Sequence, residues 1–374
     1  MQRLQNIYRL GIKELRSLLH DRILFILIIW AFSGAIYVVS TAASQELHNA
    51  PIAFADEDQS VLSSRIINAF YGPYFKQPVM ISNAEIDQGL DAGIYTFVVN
   101  IPPDFERDVV AGRRPDIQVN IDATRMSQAF IGASYIQNIT NSEIATFLKG
   151  SRPESEPLIS LVPHVKFNPN LESTWFASIM ELINNITVLS IILTGAALIR
   201  EREHGTLEHL MVMPLNVPEI ILAKVWSMGL VVLIASWLSL QLMVKIVLQV
   251  PVQGSVSLFM CGTLLHLLAT TSIGVFMGTV ARNMPQLGLL MILIVLPLQM
   301  LSGGVTPKES MPEFVQLIMQ IAPTTHFVSM AQAILYRGAG FNVVWLSFIA
   351  VFVIALVFFA MSLALFRRSL ASAE

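Results

Sequence analysis

The stretch ILFILIIWAFSGAIYVVSTAA, residues 23–43, holds 21 residues without one charged side chain. A helix of about 20 apolar residues crosses the roughly 30 Å hydrocarbon core of a bilayer, because each residue adds about 1.5 Å. This stretch therefore predicts a membrane-spanning helix, and five further apolar runs repeat the pattern. The six predicted spans are residues 23–43, 174–199, 220–247, 255–281, 285–302 and 342–366.

The composition supports a membrane protein. The chain of 374 residues is 54% hydrophobic and 13% charged, whereas soluble domains contain about 25% charged residues. The net charge of −3 and the lack of a long basic run argue against a nucleic-acid partner. No small-residue cleavage site follows the first apolar run, so we expect a retained anchor rather than a signal peptide.

Residues 44–173 form a polar block between the first two spans. The block holds 16 acidic and 9 basic residues, a balance of −7. Alternating apolar residues predict strands, and helical patterns lie between them, with Asp58 or Ser60 capping the first helix. The block is therefore predicted to be an inserted α/β domain. The predicted strands are 51–55, 95–101 and 117–121, and the predicted helices are 60–71, 85–92, 105–111 and 127–149.

Basic residues near the span ends predict the orientation, because cytoplasmic loops are enriched in Lys and Arg. With the N-terminus inside, six spans leave 11 basic residues on the inner side and only 3 in the short outer loops. Both termini, including the tail 367–374, are therefore expected in the cytoplasm, with the α/β domain on the extracytoplasmic side.

Two further segments look helical but not membrane-spanning. Residues 1–22 have apolar residues at helical spacing opposite Arg9, Lys13 and Arg16, which favours a helix lying in the inner interface. The alternative is a helix that merely continues into the first span. Glycines and prolines divide residues 303–340 into helices of about ten residues, too short to cross, so we expect re-entrant helices on the outer side.

No motif of an enzyme is evident. The chain lacks a P-loop, so it cannot cradle nucleotide phosphates in that manner. Glu203, His204, Glu208 and His209 do not have the H-E-x-x-H spacing of a zinc site. Residues 200–219, between the second and third spans, instead contain a short amphipathic pattern that is suited to a groove on a partner protein.

The chain resembles the permease subunits of ABC-2 type exporters, and is most similar to inner-membrane permeases of Gram-negative bacteria. The segments that carry the resemblance are Arg200–Leu210 (R-E-x-E-x-G-T-x-E-x-L), Leu301–Gly304 with Pro307 and Met311-Pro312, Ala322–Phe327, Tyr336–Gly338, and Asp56-x-Asp58-x-Ser60.

The resemblance implies a half-transporter of six spans that pairs with a second copy or a paralogue. It implies that residues 1–22 form an elbow helix and that ATP and Mg²⁺ are handled by a separate P-loop ATPase, with no cofactor bound directly. A periplasmic adaptor and an outer-membrane channel would complete the assembly. The residues implied in ATPase coupling are Arg200, Glu201, Glu203, Gly205, Thr206, Glu208 and Leu210.

Polar residues within the second span suggest a substrate path. Glu181, Asn184 and Asn185 share one helix face about 9 Å from its outer end, where ionisable groups usually face a cavity or a partner. The alternative is that Glu181 simply reaches water at the interface. Pro297, Gly303 and Gly304 are hypothesised to form the gate. A small-residue track of Thr270, Gly274 and Gly278 predicts a close helix contact.

These observations predict a non-catalytic permease subunit that moves a hydrophobic or amphipathic compound, drug-like or lipid-like, outward across the bacterial inner membrane. The alternative is a non-transporting scaffold or receptor that is anchored in the membrane and carries a large extracytoplasmic domain. A single span would be enough for an anchor, so six spans and a re-entrant segment favour the permease.

Overall fold

The computed structural model describes residues 2–42, 49–122, 126–151, 172–203, 205, 216–306 and 308–371. The chain divides into two compact units. The membrane unit comprises Met1–Ala43 and Thr174–Glu374, and the α/β domain comprises Ser44–Ser173.

The first helix is separate from the first span. Helix α1, Gln2–His20, ends before Asp21, whose extended backbone breaks the helix and whose Oδ1 accepts a hydrogen bond from the Leu24 amide at 3.1 Å. Asp21 thereby caps α2, Arg22–Phe32, and α3, Gly34–Ala42, completes the first span. A single continuous helix through residue 21 is excluded by this break.

The α/β domain is built on a four-stranded sheet. Strands β1 (Ile52–Asp56), β2 (Val79–Met80), β3 (Phe97–Ile101) and β4 (Gln118–Ile121) take the order β2-β1-β3-β4. The β1 strand pairs in parallel with β2 and β3, whereas β3 pairs antiparallel with β4. Only β2 was not predicted, because its two residues give no alternation to detect.

Helices cover both faces of this sheet. Apolar residues of α4 (Val61–Asn68), α6 (Phe105–Val110) and α7 (Met126–Ser151) pack on one face. The α5 helix, Ile86–Asp91, packs on the other. The cap of α4 is Ser60, whose Oγ accepts from the Ser63 amide at 3.0 Å, whereas Asp58 accepts from the Glu106 amide. Of the two predicted caps, the structure selects Ser60.

The remainder of the membrane unit is helical in its described parts. Its α-helices are α8 (Ser173–Glu203), α9 (Val217–Ser239), α10 (Val256–Val280), α11 (Met284–Leu290), α12 (Leu296–Met300), α13 (Glu313–Met319), α14 (Pro323–Leu335) and α15 (Phe341–Ala371). The π-helix 240–247 extends α9, and the π-helix 291–295 joins α11 to α12.

Five helices are long and apolar enough to cross a membrane, judged by length and composition among the described residues. They are Arg22–Thr41, Ser173–Glu203, Val217–Val247, Val256–Val280 and Phe341–Ser369. The predicted span 285–302 corresponds to the shorter apolar helix Met284–Met300, which reaches about 26 Å at 1.5 Å per residue. The sixth span therefore stays a prediction.

Helix α8 lies at the centre of the membrane unit and packs closely on α10. A Cβ at Gly274 would lie 2.7 Å from the Ile191 carbonyl oxygen, and one at Gly278 would lie 2.9 Å from that of Gly195. Only glycine allows the two backbones to approach so closely. The close contact predicted from the small-residue track is confirmed.

Candidate functional site

Four charged residues meet where α1 packs against α8 and α9, and we name Lys13, Glu14, Glu201 and Lys224 the ionic cluster. The Lys224 ammonium lies 2.9 Å from Glu14 Oε1 and 2.6 Å from Glu201 Oε2. The Lys13 ammonium lies 2.6 Å from Glu201 Oε1. Lys224 is only 1% exposed, so these carboxylates, and not water, compensate the charge of its ammonium group.

The surroundings of the two cluster residues on α1 raise the pKa of each. It raises the pKa of the Glu14 carboxyl, against the opposing charge of Lys224. Burial lowers the pKa of Lys13, but the hydrogen bond and the charge of Glu201 outweigh it, so the pKa is raised overall. Lys13 is therefore held as a cation by Glu201.

Further contacts hold α1 along α9. The Trp226 indole Nε1 donates to the Ile7 carbonyl at 3.2 Å, and Tyr8 stacks on the same indole with ring centroids 6.2 Å apart. Gly11 leaves the space in which the Trp226 ring lies. At the N-terminal end of α9, Asn6 Nδ2 donates to Glu219 at 3.3 Å. The first helix is thus fixed at several points along its length.

The last turn of α8 contacts several neighbouring elements. Arg200 Nη1 lies 2.6 Å from Asp21 Oδ2, at the break between α1 and α2. Arg202 Nη1 donates to the Ala281 carbonyl at 2.7 Å, just after α10. Glu203 Oε1 accepts from the Met284 amide at 3.2 Å, at the start of α11. The described part of the R-E-x-E segment therefore joins helices together.

The structure places the expected coupling residues in different surroundings. Glu201 is buried in the ionic cluster, whereas Glu203 is exposed. Gly205 has a φ of +67°, which suits a turn after α8. Thr206, Glu208 and Leu210 lie outside the described residues.

Sequence reasoning did not connect Glu201 with the other three residues of the ionic cluster. A lysine within the apolar run 217–247 was a signal, because a buried cation needs a carboxylate nearby. A lone acid within the basic helix α1 was a second signal. Neither signal identifies the partner, because 188 residues separate Lys13 from Glu201 and 210 separate Glu14 from Lys224.

The polar residues in the N-terminal half of α8 are only partly brought together. Asn185 lies one helical turn after Glu181, and its Nδ2 donates to the Ala31 carbonyl of α2 at 2.8 Å. Asn184 contacts α12 through its backbone, because its carbonyl oxygen accepts a hydrogen bond from Gln299 Nε2 at 3.4 Å. These contacts join α8 to the first span and to α12.

The expected gate residues lie in α12 and in the irregular segment that follows it. Pro297 follows the π-helix 291–295, and such a segment commonly accompanies a bend in a helix. Gly303 has a φ of +92°, and a Cβ there would meet the aliphatic part of Lys308. Gly304 lies against Met180 of α8. The α12 end and the loop after it therefore depend on glycine.

A buried polar seam joins α8 to α10 in the middle of the membrane unit. His266 Nε2 lies 2.9 Å from Thr187 Oγ1, and Ser190 Oγ donates to Thr270 Oγ1 at 2.6 Å. The His266 ring also stacks on Phe327 of α14, with centroids 4.0 Å apart. Hydrogen bonds of this kind hold membrane helices in a fixed register.

Comparison with known proteins identifies the family of the chain. Residues 22–364 match the model of a family described as ABC-2 family transporter protein. The chain is 61% identical, over 99% of each sequence, to the inner membrane transport permease YhhJ of Escherichia coli (strain K12). It is 28% identical, over 95% of this chain and 96% of the relative, to a protein of the same strain named "Probable multidrug ABC transporter permease YbhR".

Both the family match and the relatives extend over nearly the whole chain, so the likeness includes the α/β domain as well as the membrane helices. Permeases of this family are membrane subunits of ABC transporters, and the ATPase activity lies in a separate subunit. The apolar helices and the similarity to an inner membrane permease indicate a multi-pass protein of the inner membrane. The chain belongs to the ABC-2 family of transporter proteins.

Proposed function

We propose that the chain is one half of an exporter that moves a hydrophobic or amphipathic compound outward across the inner membrane. The observation that carries the proposal is the ionic cluster, which joins the end of α8 to α1 and α9 directly before residues 206–215. The relative named as a multidrug permease supports an amphipathic substrate. A scaffold that only anchors a domain would not need this connection.

The end of α8 can transmit force from an ATPase. Residues 200–219 would dock on the partner, with Glu203, Glu208 and neighbouring residues in contact with it. Arg200, Glu201 and Arg202 would act indirectly, because they attach the same turn to α1, α9 and α10. Nucleotide binding would favour one arrangement of these helices through a difference in affinity for the two conformations.

The remaining parts of the proposal follow from the family and the charge pattern. Two such chains would form the transport path, with both termini in the cytoplasm and the α/β domain outside. Glu181, Asn184 and Asn185 would face the path near its outer end, and Pro297, Gly303 and Gly304 would let the outer end open. A periplasmic adaptor and an outer-membrane channel would receive the compound.

The decisive experiment is to purify the permease gently from membranes and to assay the ATPase that accompanies it. We expect a P-loop ATPase in stoichiometric amount, and Glu203→Lys should lower its permease-stimulated hydrolysis at least tenfold while the permease still inserts. Glu313→Lys, the same change at another exposed glutamate, is the matched control and should leave hydrolysis unchanged. Purification without any ATPase would favour the scaffold.

A further inference from the structure

A groove in the α/β domain has the properties of a ligand site. It has a volume of about 690 Å³ and lies between α6, β4 and α7. Small-molecule sites are mostly apolar clefts of about 300–1,000 Å³ with a few polar groups. Its walls are mainly aliphatic and include Val109, Ile117, Val119, Ile136, Ile144 and Leu148.

One buried hydroxyl beside this groove has no hydrogen-bond partner among the residues that the structure describes. Thr140 is 8% exposed, and its Oγ1 makes no hydrogen bond to any residue that the structure describes. A helical threonine ordinarily bonds to the carbonyl four residues earlier, as Thr146 does to Ser142 at 2.8 Å. A buried hydroxyl without a hydrogen-bond partner destabilises the folded state, because it has lost its hydrogen bonds to water. The Oγ1 atom itself has almost no accessible surface, so a polar group of a ligand would pair with it only after the side chain changes its rotamer.

The shape of the groove favours a chain-like ligand. Its α7 wall extends from Ala133 to Leu148, and its members recur at helical spacing on one face. At 1.5 Å per residue this wall is about 22 Å long. An extended acyl chain can lie along such a surface more completely than a compact ring system can.

Charge at the rim favours an anionic head. Arg113 and Arg114 both line the groove, but Arg113 is held by Asp108 at 2.6 Å. Arg114 is exposed and makes no ion pair within the described parts of the chain. Asp116 also lines the rim and moderates the positive charge, so the preference for an anion should be moderate.

We propose that the α/β domain binds a single-chain anionic amphiphile in this groove. The chain would lie against the aliphatic walls, and oxygen atoms of the head would accept hydrogen bonds from Arg114 and, after a change of its rotamer, from Thr140. This inference does not depend on the proposed export, because binding requires neither an ATPase nor movement of the membrane helices.

The test uses the full-length permease in nanodiscs, with a palmitate probe that carries a photoreactive diazirine and an alkyne. We expect saturable labelling that maps to residues 133–148. Arg114→Glu should weaken it by about tenfold, as expected for the loss of one charged hydrogen bond. Thr140→Val keeps the side-chain shape and should weaken it severalfold, and Ala133→Trp should fill the groove and abolish it.

Lys76→Glu reverses an exposed charge of the same domain outside the groove and should leave labelling unchanged. The thermal stability of every variant is compared with that of the parent, so that a loss of labelling caused by unfolding is not mistaken for a loss of binding. Labelling that does not saturate, maps elsewhere or survives both Arg114→Glu and Ala133→Trp would refute the site. Equal labelling by the neutral amide and cationic amine analogues would refute the anionic head.

Discussion

At the residue scale, the balance of charge in the ionic cluster decides how substitutions behave. Two lysines face two glutamates, and Glu201 contacts both lysines. Loss of Glu201 would leave both lysines with Glu14 as the one carboxylate of the cluster, and Lys224 has almost no access to water. Removing one member of a buried ion pair costs about 3–5 kcal/mol, since the other charge stays buried.

We therefore expect Glu201→Gln to lower the apparent melting temperature of the purified permease markedly. Lys224→Met added to it restores the charge balance and should recover most of the loss. The comparison is a double-mutant cycle, measured by thermal unfolding in one detergent. If the decreases in melting temperature caused by the two single substitutions simply add in the double variant, Glu201 and Lys224 are not energetically coupled. The ionic cluster would then contribute little to stability.

At the element scale, the contact between α8 and α10 depends on glycine at defined positions. A Cβ at Gly278 would press against the Gly195 backbone, whereas a Cβ at Gly288 of α11 would meet nothing within 4 Å. Gly278→Ala should therefore separate the helices and destabilise the permease by about 1–3 kcal/mol.

The matched change Gly288→Ala should be neutral or stabilising by up to about 1 kcal/mol, because alanine favours the helix without a clash. Both variants are compared with the parent by thermal unfolding. Equal melting temperatures for the two variants would show that the close approach of α8 and α10 does not limit stability.

At the scale of the whole molecule, the charge pattern predicts which side of the membrane each part occupies. With 11 basic residues at the inner ends and 3 in the short outer loops, the α/β domain should be outside. Gln118→Cys on β4, in a background with Cys261→Ala, should react with an impermeant thiol reagent in intact cells. A reporter fused after residue 374 should be cytoplasmic. Reaction at position 118 only after lysis would overturn the six-span arrangement.

Hydropathy and periodicity predicted the apolar helices and most elements of the α/β domain, because burial of one face leaves a local repeat in the sequence. The ionic cluster could not be predicted in the same way. Lys13 and Glu201 form a pair only because α1 packs on the ends of α8 and α9, and a local pattern records burial but not its partner. The groove in the α/β domain could not be predicted either, because it lies between α6, β4 and α7, which are separate elements in the sequence.

The contacts of α1 have a consequence for the synthesis of the protein. This helix leaves the ribosome before α8 and α9, because its partners Glu201 and Lys224 follow Lys13 and Glu14 by 188 and 210 residues. At about 5–20 residues per second, that delay is roughly 10–40 s. During that time α1 has neither α8 nor α9 to pack against, and its apolar face has to be covered by lipid or a chaperone. An amphipathic helix with basic residues can bind an anionic membrane surface until α8 and α9, which carry its charged partners, have been synthesised.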